Sequence, residues 1–166
     1  ISFFCVINIL ILIFSMEVEY MLEIKGRDIA GRNYRSLIEL AFKKCDKFAF
    51  VLRRDLMSDE ELAMKHHNEF VKDIESSLIE MKELSEWAVN ELGEGTAYVF
   101  FYELNENTKH FLQTKSDSLF EWIGLLPEDL MFYNGDEIWF ACNSHEEYFI
   151  LNEEEFSNYE DLMKSL

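Results

Sequence analysis

The dipeptide Asn134-Gly135 stands between two four-residue apolar runs, Leu130-Met131-Phe132-Tyr133 and Ile138-Trp139-Phe140-Ala141. Asn-Gly readily takes positive φ at both central positions of a type I′ turn, whose twist matches that of two antiparallel strands. A β-hairpin centred on Asn134 and Gly135 is therefore expected, and with it antiparallel sheet in the C-terminal half. Tyr148-Phe149-Ile150-Leu151 follows as a further short strand, and residues 98–104 are almost wholly apolar, as a central strand would be.

The N-terminal half mixes both periods. Val18, Tyr20, Leu22 and Ile24 alternate with mostly charged neighbours, the pattern of a half-buried strand. After the glycine-bearing turn 26–33, the residues Tyr34, Leu37, Ile38, Ala41, Phe42 and Cys45 keep the spacing of one helix face, and residues 48–52 read as a buried strand. Ser58 with Glu61 forms a capping-box pattern opening a long helix. Its stripe through Leu62, His66, Phe70, Ile74, Leu78, Met81, Leu84 and Ala88 runs to Leu92, with a bend or break near Ser76-Ser77 and a stop at Gly93 and Gly95. Asn105-Glu106-Asn107 reads as a turn, residues 110–114 as a weaker strand and 118–123 as a short helix ended by Gly124. Asn152 can cap a final helix beginning with three glutamates. Together these elements predict an α+β fold, a single domain with a largely antiparallel sheet and helices packed mainly on one face. That domain spans residues 16–166.

Residues 1–15 are apolar and uncharged, but the run is shorter than the roughly 20 residues of a spanning helix and has no basic flank or small-residue cleavage site. They are expected to be upstream sequence, with Met16 or Met21 as initiator; the competing expectation is a truncated membrane anchor.

The charge is uneven. Of 33 acidic residues in a chain of net charge −18, 17 lie in residues 91–166, which hold 3 lysines and no arginine. The same half is rich in aromatics, so its acid belongs to a folded surface and not to a disordered tail. Such a balance argues against nucleic acid and against an anionic membrane, both of which reward clustered Lys and Arg. It favours a basic protein as partner. Cys5, Cys45 and Cys142 form no Cys-x-x-Cys pair, consistent with a reducing, cytoplasmic setting.

Motifs for chemistry are missing. His66-His67 are adjacent, about 100° apart on a helix, and cannot share a metal as i, i+4 residues do. His66 falls on the apolar stripe, leaving His67 solvated. The GRDIAG segment lacks the lysine of a phosphate loop and the third glycine of a dinucleotide loop, and no calcium-loop run exists. Cys142 and His145, three residues apart, would face opposite sides of one strand. No catalytic, cofactor or metal residue is assigned on this basis. The acid pairs Glu128-Asp129, Asp136-Glu137 and Glu146-Glu147 fall at expected turns, so they could converge on one rim. With Trp139 and His145 they make the candidate partner-binding surface. A basic group, Arg27, Arg32, Arg35, Lys43-Lys44 and Arg53-Arg54, is expected at the other end.

Three blocks, residues 31–57, 77–102 and 122–146, the last carrying PEDL, the Asn-Gly turn, Trp139 and His145-Glu146, resemble a group of small uncharacterised Firmicute proteins. Some of these carry the label stage III sporulation protein AH, which implies a sporulation-associated structural protein. The PEDL segment followed by a Trp-bearing strand and His-Glu is also similar to small bacterial proteins encoded beside toxin systems, where acidic immunity proteins block cationic nucleases. The expected function is thus non-catalytic binding of a basic protein, in its sharpest form as an immunity-type inhibitor. The alternatives are the sporulation role and an enzyme in which His145 meets Cys142 or Glu146 in a pocket.

Overall fold

The computed structural model describes residues 21–124 and 126–155 together with Ser157, Glu160 and Asp161. Val18, Tyr20, Met16 and residues 1–15 lie outside them. Among the described residues, the named strands and α-helices run in the order β1 (Met21–Lys25), α1 (Arg32–Lys44), β2 (Lys47–Leu52), α2 (Glu60–Phe70), β3 (Leu78–Leu84), β4 (Glu86–Trp87), β5 (Asn90–Glu91), β6 (Ala97–Glu103), α3 (Glu106–Lys115), β7 (Glu128–Asn134), β8 (Glu137–Asn143) and β9 (Tyr148–Asn152). Seven strands form one antiparallel sheet in the order β1-β9-β8-β7-β2-β6-β3, and β4 and β5 form a separate small hairpin. This is the expected α+β architecture.

Alternation along the strands divides the core between the two faces of the sheet. On β2, Phe48 and Phe50 join a cluster with Tyr34, Leu37 and Ile38 of α1, Phe111 and Leu112 of α3, and Trp122. Val71 and Ile74, just beyond α2, complete that cluster, so all three helices cover one face. Ala49 and Val51 point the other way, to Val99, Met131 and Ala141, where Trp87 and Val89 of the small hairpin cover them. A hydrogen-bonded chain fixes the helical layer: Trp122 Nε1 donates to Tyr34 Oη at 2.8 Å, and Tyr34 Oη to the Leu112 carbonyl at 2.9 Å.

Five expectations are corrected. The long helix ends at Phe70; residues 72–77 form a 3₁₀ segment and 78–84 become edge strand β3 against β6. The run Leu-Ile-Glu-Met-Lys-Glu-Leu fits either period, and the unpaired edge of β6 decides for strand, a tertiary override of propensity. The cap of α2 is Asp59, whose side chain accepts from the Leu62 amide at 3.0 Å, and not Ser58. Residues 110–114 lie in α3, because Asn105 accepts from the Asn107 and Thr108 amides while Thr108 Oγ1 accepts from the Asn105 amide. Residues 118–123 are irregular, their direction set by an isolated bridge from Ser118 to Ala30. Finally, Asn134 pairs with Glu137, so the two-residue loop is Gly135-Asp136, one residue later than expected. Gly135 takes φ 61 at the first central position, the placement of a type II′ turn. The hairpin itself forms as expected.

Asn152 caps as expected, its Oδ1 accepting from the Glu154 amide at 3.0 Å over a 3₁₀ turn, Glu153–Glu155. Among the described residues no helix is long and apolar enough to cross a membrane.

Candidate functional site

β7 and β8 place the acid pairs at opposite ends of the sheet. Asp136 and Glu137 are exposed at the hairpin tip, where Lys47 Nζ reaches Asp136 at 3.0 Å. Glu128 and Asp129 open β7 at the far end, roughly 20 Å away at strand rise. His145, Glu146 and Glu147 cross back to that same end in the loop between β8 and β9, and all three are exposed. Trp139 is buried among Phe132 and Phe140, so it contributes to the core and not to a surface. The eight residues therefore do not share one rim.

The far end holds a network. Asp129 is fully buried with φ 55, a left-handed conformation that Asp tolerates better than most side chains. There its Oδ2 accepts from Trp87 Nε1 at 2.9 Å and its Oδ1 from the Ser144 amide at 3.0 Å. Glu128, next to it, meets His145 Nε2 at 3.2 Å. The Glu128 side chain is 11% exposed against 42% for His145, so the carboxylate lies beneath the imidazole. Arg53, at the end of β2, grips Asp55 with two hydrogen bonds of 2.6 and 2.7 Å and lies over the Trp87 ring. The loop is pinned from behind by Asn143, which donates to the Val89 carbonyl at 3.1 Å and accepts from the Glu146 amide at 3.0 Å.

Burial sets the electrostatics. Desolvation raises Glu128 and Asp129 above the ordinary carboxylate range; His145 opposes it for Glu128, and the Ser144 and Trp87 donors oppose it for Asp129. The Arg53 fork holds Asp55 below that range. Two carboxylates raised by burial thus share this end of the sheet with one held low by its arginine. Both Glu128 oxygens lie 3.2 Å from His145 Nε2, Oε2 shut off from solvent beneath the ring.

The Glu128–His145 pair borders a cleft of about 500 Å³ between the start of α2 and the sheet end, lined also by Arg53, Leu56, Leu62 and His66 among others. Leu56 and Leu62 are 60% and 48% exposed on its walls. Cys142 turns away into the core, its thiol pushed upward by burial and 3.5 Å from Ser144 Oγ; His145 makes its contact with Glu128 instead. The two histidines of α2 exchange the roles expected of them. His67 is buried between Phe50 and Phe100, and His66 is exposed on the cleft. His67 and Val71 are buried one position after His66 and Phe70 of the stripe read through a longer helix, and the two readings meet only at Ile74.

Sequence reasoning missed Arg53, Asp55, Trp87 and Ser144. Arg53 and Arg54 were expected at the end away from the acid, yet they pair there with Asp55, Glu60 and Glu83. Arg-x-Asp directly after a buried strand was a legible signal; the approach of Trp87 to Asp129 was not, because it depends on a hairpin hidden in an apparent helix. Among the described residues no group of three or more His, Cys, Asp or Glu could hold a metal ion. No family model, curated protein or solved structure matches the chain.

Proposed function

We propose that the protein is a non-catalytic binder of a basic protein, which it engages at the Glu128–His145 end of the sheet. The observation that carries this reading is the Glu128–His145 pair on the cleft lining, a largely buried carboxylate raised by desolvation whose one close cationic neighbour is an exposed imidazole. A Lys or Arg side chain entering the cleft displaces the His145 ring and gives Glu128 a charge-assisted hydrogen bond, and the exposed Leu56 and Leu62 cover its aliphatic stem. Net charge −18 steers a cationic partner toward the chain. An immunity-type inhibitor of a cationic enzyme is the specific form this takes. Glu128, His145, Glu146 and Glu147 remain in the proposed contact surface; Asp136 and Glu137, at the hairpin tip, fall outside it.

The test uses an arginine-rich peptide as probe, titrated by calorimetry against the wild type, Glu128→Gln and Glu137→Gln. Both variants remove one charge, but only one lies on the cleft. Glu128→Gln is expected to weaken binding about tenfold and Glu137→Gln to leave it nearly unchanged, with affinity falling as salt rises. Equal losses in the two variants would reduce the interaction to net charge alone and sink the proposal.

A second reading rests on the same pair. A carboxyl held toward neutrality and bonded to an imidazole is also an acid–base couple. Saturable turnover abolished by Glu128→Gln with binding retained would favour it.

A further inference from the structure

The exposed large apolar side chains among the described residues fall in two places. Leu56 and Leu62 border the cleft, while Leu78, Ile79 and Met81 lie together on β3, 41%, 53% and 46% exposed. β3 ends the sheet: it pairs with β6 and with no other strand among the described residues. Its outer side therefore offers a row of unpaired backbone donors and acceptors next to apolar side chains, a template for another strand. Charged residues usually blunt such an edge. Here their order does the reverse for one particular partner.

Cross-strand neighbours share a face of the sheet. Glu80, Lys82 and Leu84 stand opposite Phe101, Val99 and Ala97, on the face covered by the small hairpin, whereas Met81 and Glu83 stand opposite Phe100 and Tyr98, on the helical face. The register shifts between Leu78 and Glu80, leaving Ile79 as the extra residue. A two-fold axis perpendicular to the sheet preserves these faces, so an antiparallel pairing of β3 with itself must centre on a single residue. Centred on Met81, Glu80 lies opposite Lys82 of the partner subunit, and Lys82 opposite Glu80 of the partner subunit. Within one chain these side chains already meet at 2.9 Å on that face. Centring on Glu80 or on Lys82 instead sets like charges against each other. The strand is self-complementary in one register.

We infer that β3 is the interface of a homodimer in which two copies pair antiparallel about Met81, joining their sheets into one. The occupant is a second copy of this chain because its charge sequence matches its own reversal. The contact is a single seven-residue strand, smaller than the roughly 800 Å² per partner of a standard interface, so monomer and dimer exchange with concentration. Copies of net charge −18 also repel at long range, which makes about 0.15 M salt or more the proper condition for the measurement.

Sedimentation across a concentration series tests this with four proteins: the wild type, Glu80→Lys, Lys82→Glu, and the exchange carrying both. Both substituted side chains are exposed, and circular dichroism checks that the fold persists. The wild type is expected to dimerise, each single reversal to raise the dissociation constant at least about tenfold by opposing like charges twice across the axis, and the double exchange to restore it. A wild type that stays monomeric throughout the soluble range overturns the inference. So do single reversals that dimerise unchanged, or a double exchange that fails to recover.

Discussion

His67 is a polar ring placed where nothing answers its polarity. Both ring nitrogens are buried without a hydrogen-bond partner, and the ring lies 4.1 Å from that of Phe100, centroid to centroid. Burial holds its pKa down at about 4 against 6.5 for an unperturbed histidine. The folded protein thus keeps the ring neutral while the unfolded chain takes up a proton below pH 6.5. Stability from this group is complete above that pH and is lost as the pH falls from 6.5 toward 4, by about 3 kcal/mol in all. Urea denaturation at pH 7, 6 and 5 should follow that slope in the wild type and lose this part of it in His67→Phe, whose ring can pack on Phe100 without a proton to bind. An unchanged slope in the variant would assign the acid sensitivity elsewhere. The sequence pointed to His66 for this buried position because a stripe drawn through 30 residues of mixed structure fixes the wrong helical phase. The end of α2 and the segment just after it, through His67, Val71 and Ile74, give the right one.

At the scale of elements, the most legible signals were those with one physical meaning. The Asn-Gly hairpin, the buried runs of β2, β6 and β9, and the amphipathic α1 all form where their patterns place them, within a residue or two. Signals with two meanings failed. Asn105 serves equally in a turn or at a helix start, and Thr108 three residues later was the overlooked half of a box that starts α3. The site was less legible than the fold because its parts arrive from β2, the β4–β5 hairpin, β7 and the β8–β9 loop, which meet only in space. Asn105 also donates to Ser77 Oγ at 3.0 Å, tying the start of α3 to the segment that turns the chain into β3. Asn105→Ala should therefore cost about 1–2 kcal/mol, and Asn105→Asp, which keeps the acceptor and loses only the Ser77 bond, appreciably less. Equilibrium unfolding of the two variants compares them directly; equal losses would mean that the tie to Ser77 outweighs the cap.

For the whole molecule the governing quantity is the excess of acid. Residues 91–166 contribute 17 acidic side chains against 3 lysines, and the sheet spreads them: Asp136 and Glu137 at one end, Glu128, Asp129, Glu146 and Glu147 at the other, Glu106 and Glu121 on the helical side. Most of the attractive pairs leave at least one partner more than two-fifths exposed, as in Arg35–Asp117, Arg54–Glu83 and Lys82–Glu80. Exposed pairs of this kind contribute about 0–1 kcal/mol each and weaken in salt. Repulsion among the surplus carboxylates acts in the opposite sense, is shared over the whole surface, and is relieved when the chain expands on unfolding. With more than twice as many acidic as basic residues, 33 against 15, repulsion outweighs the pairs. Raising sodium chloride from about 0.02 to 0.2 M shortens the screening length from roughly 20 Å to 7 Å, enough to separate one end of the sheet from the other electrically. The melting temperature should rise by several degrees over that range, while affinity for a cationic peptide falls. A melting temperature that drops instead would mean that the ion pairs around Arg54 and Arg35 hold the fold more strongly than the acid surplus opposes it. Excess acid would then no longer explain why salt affects this protein.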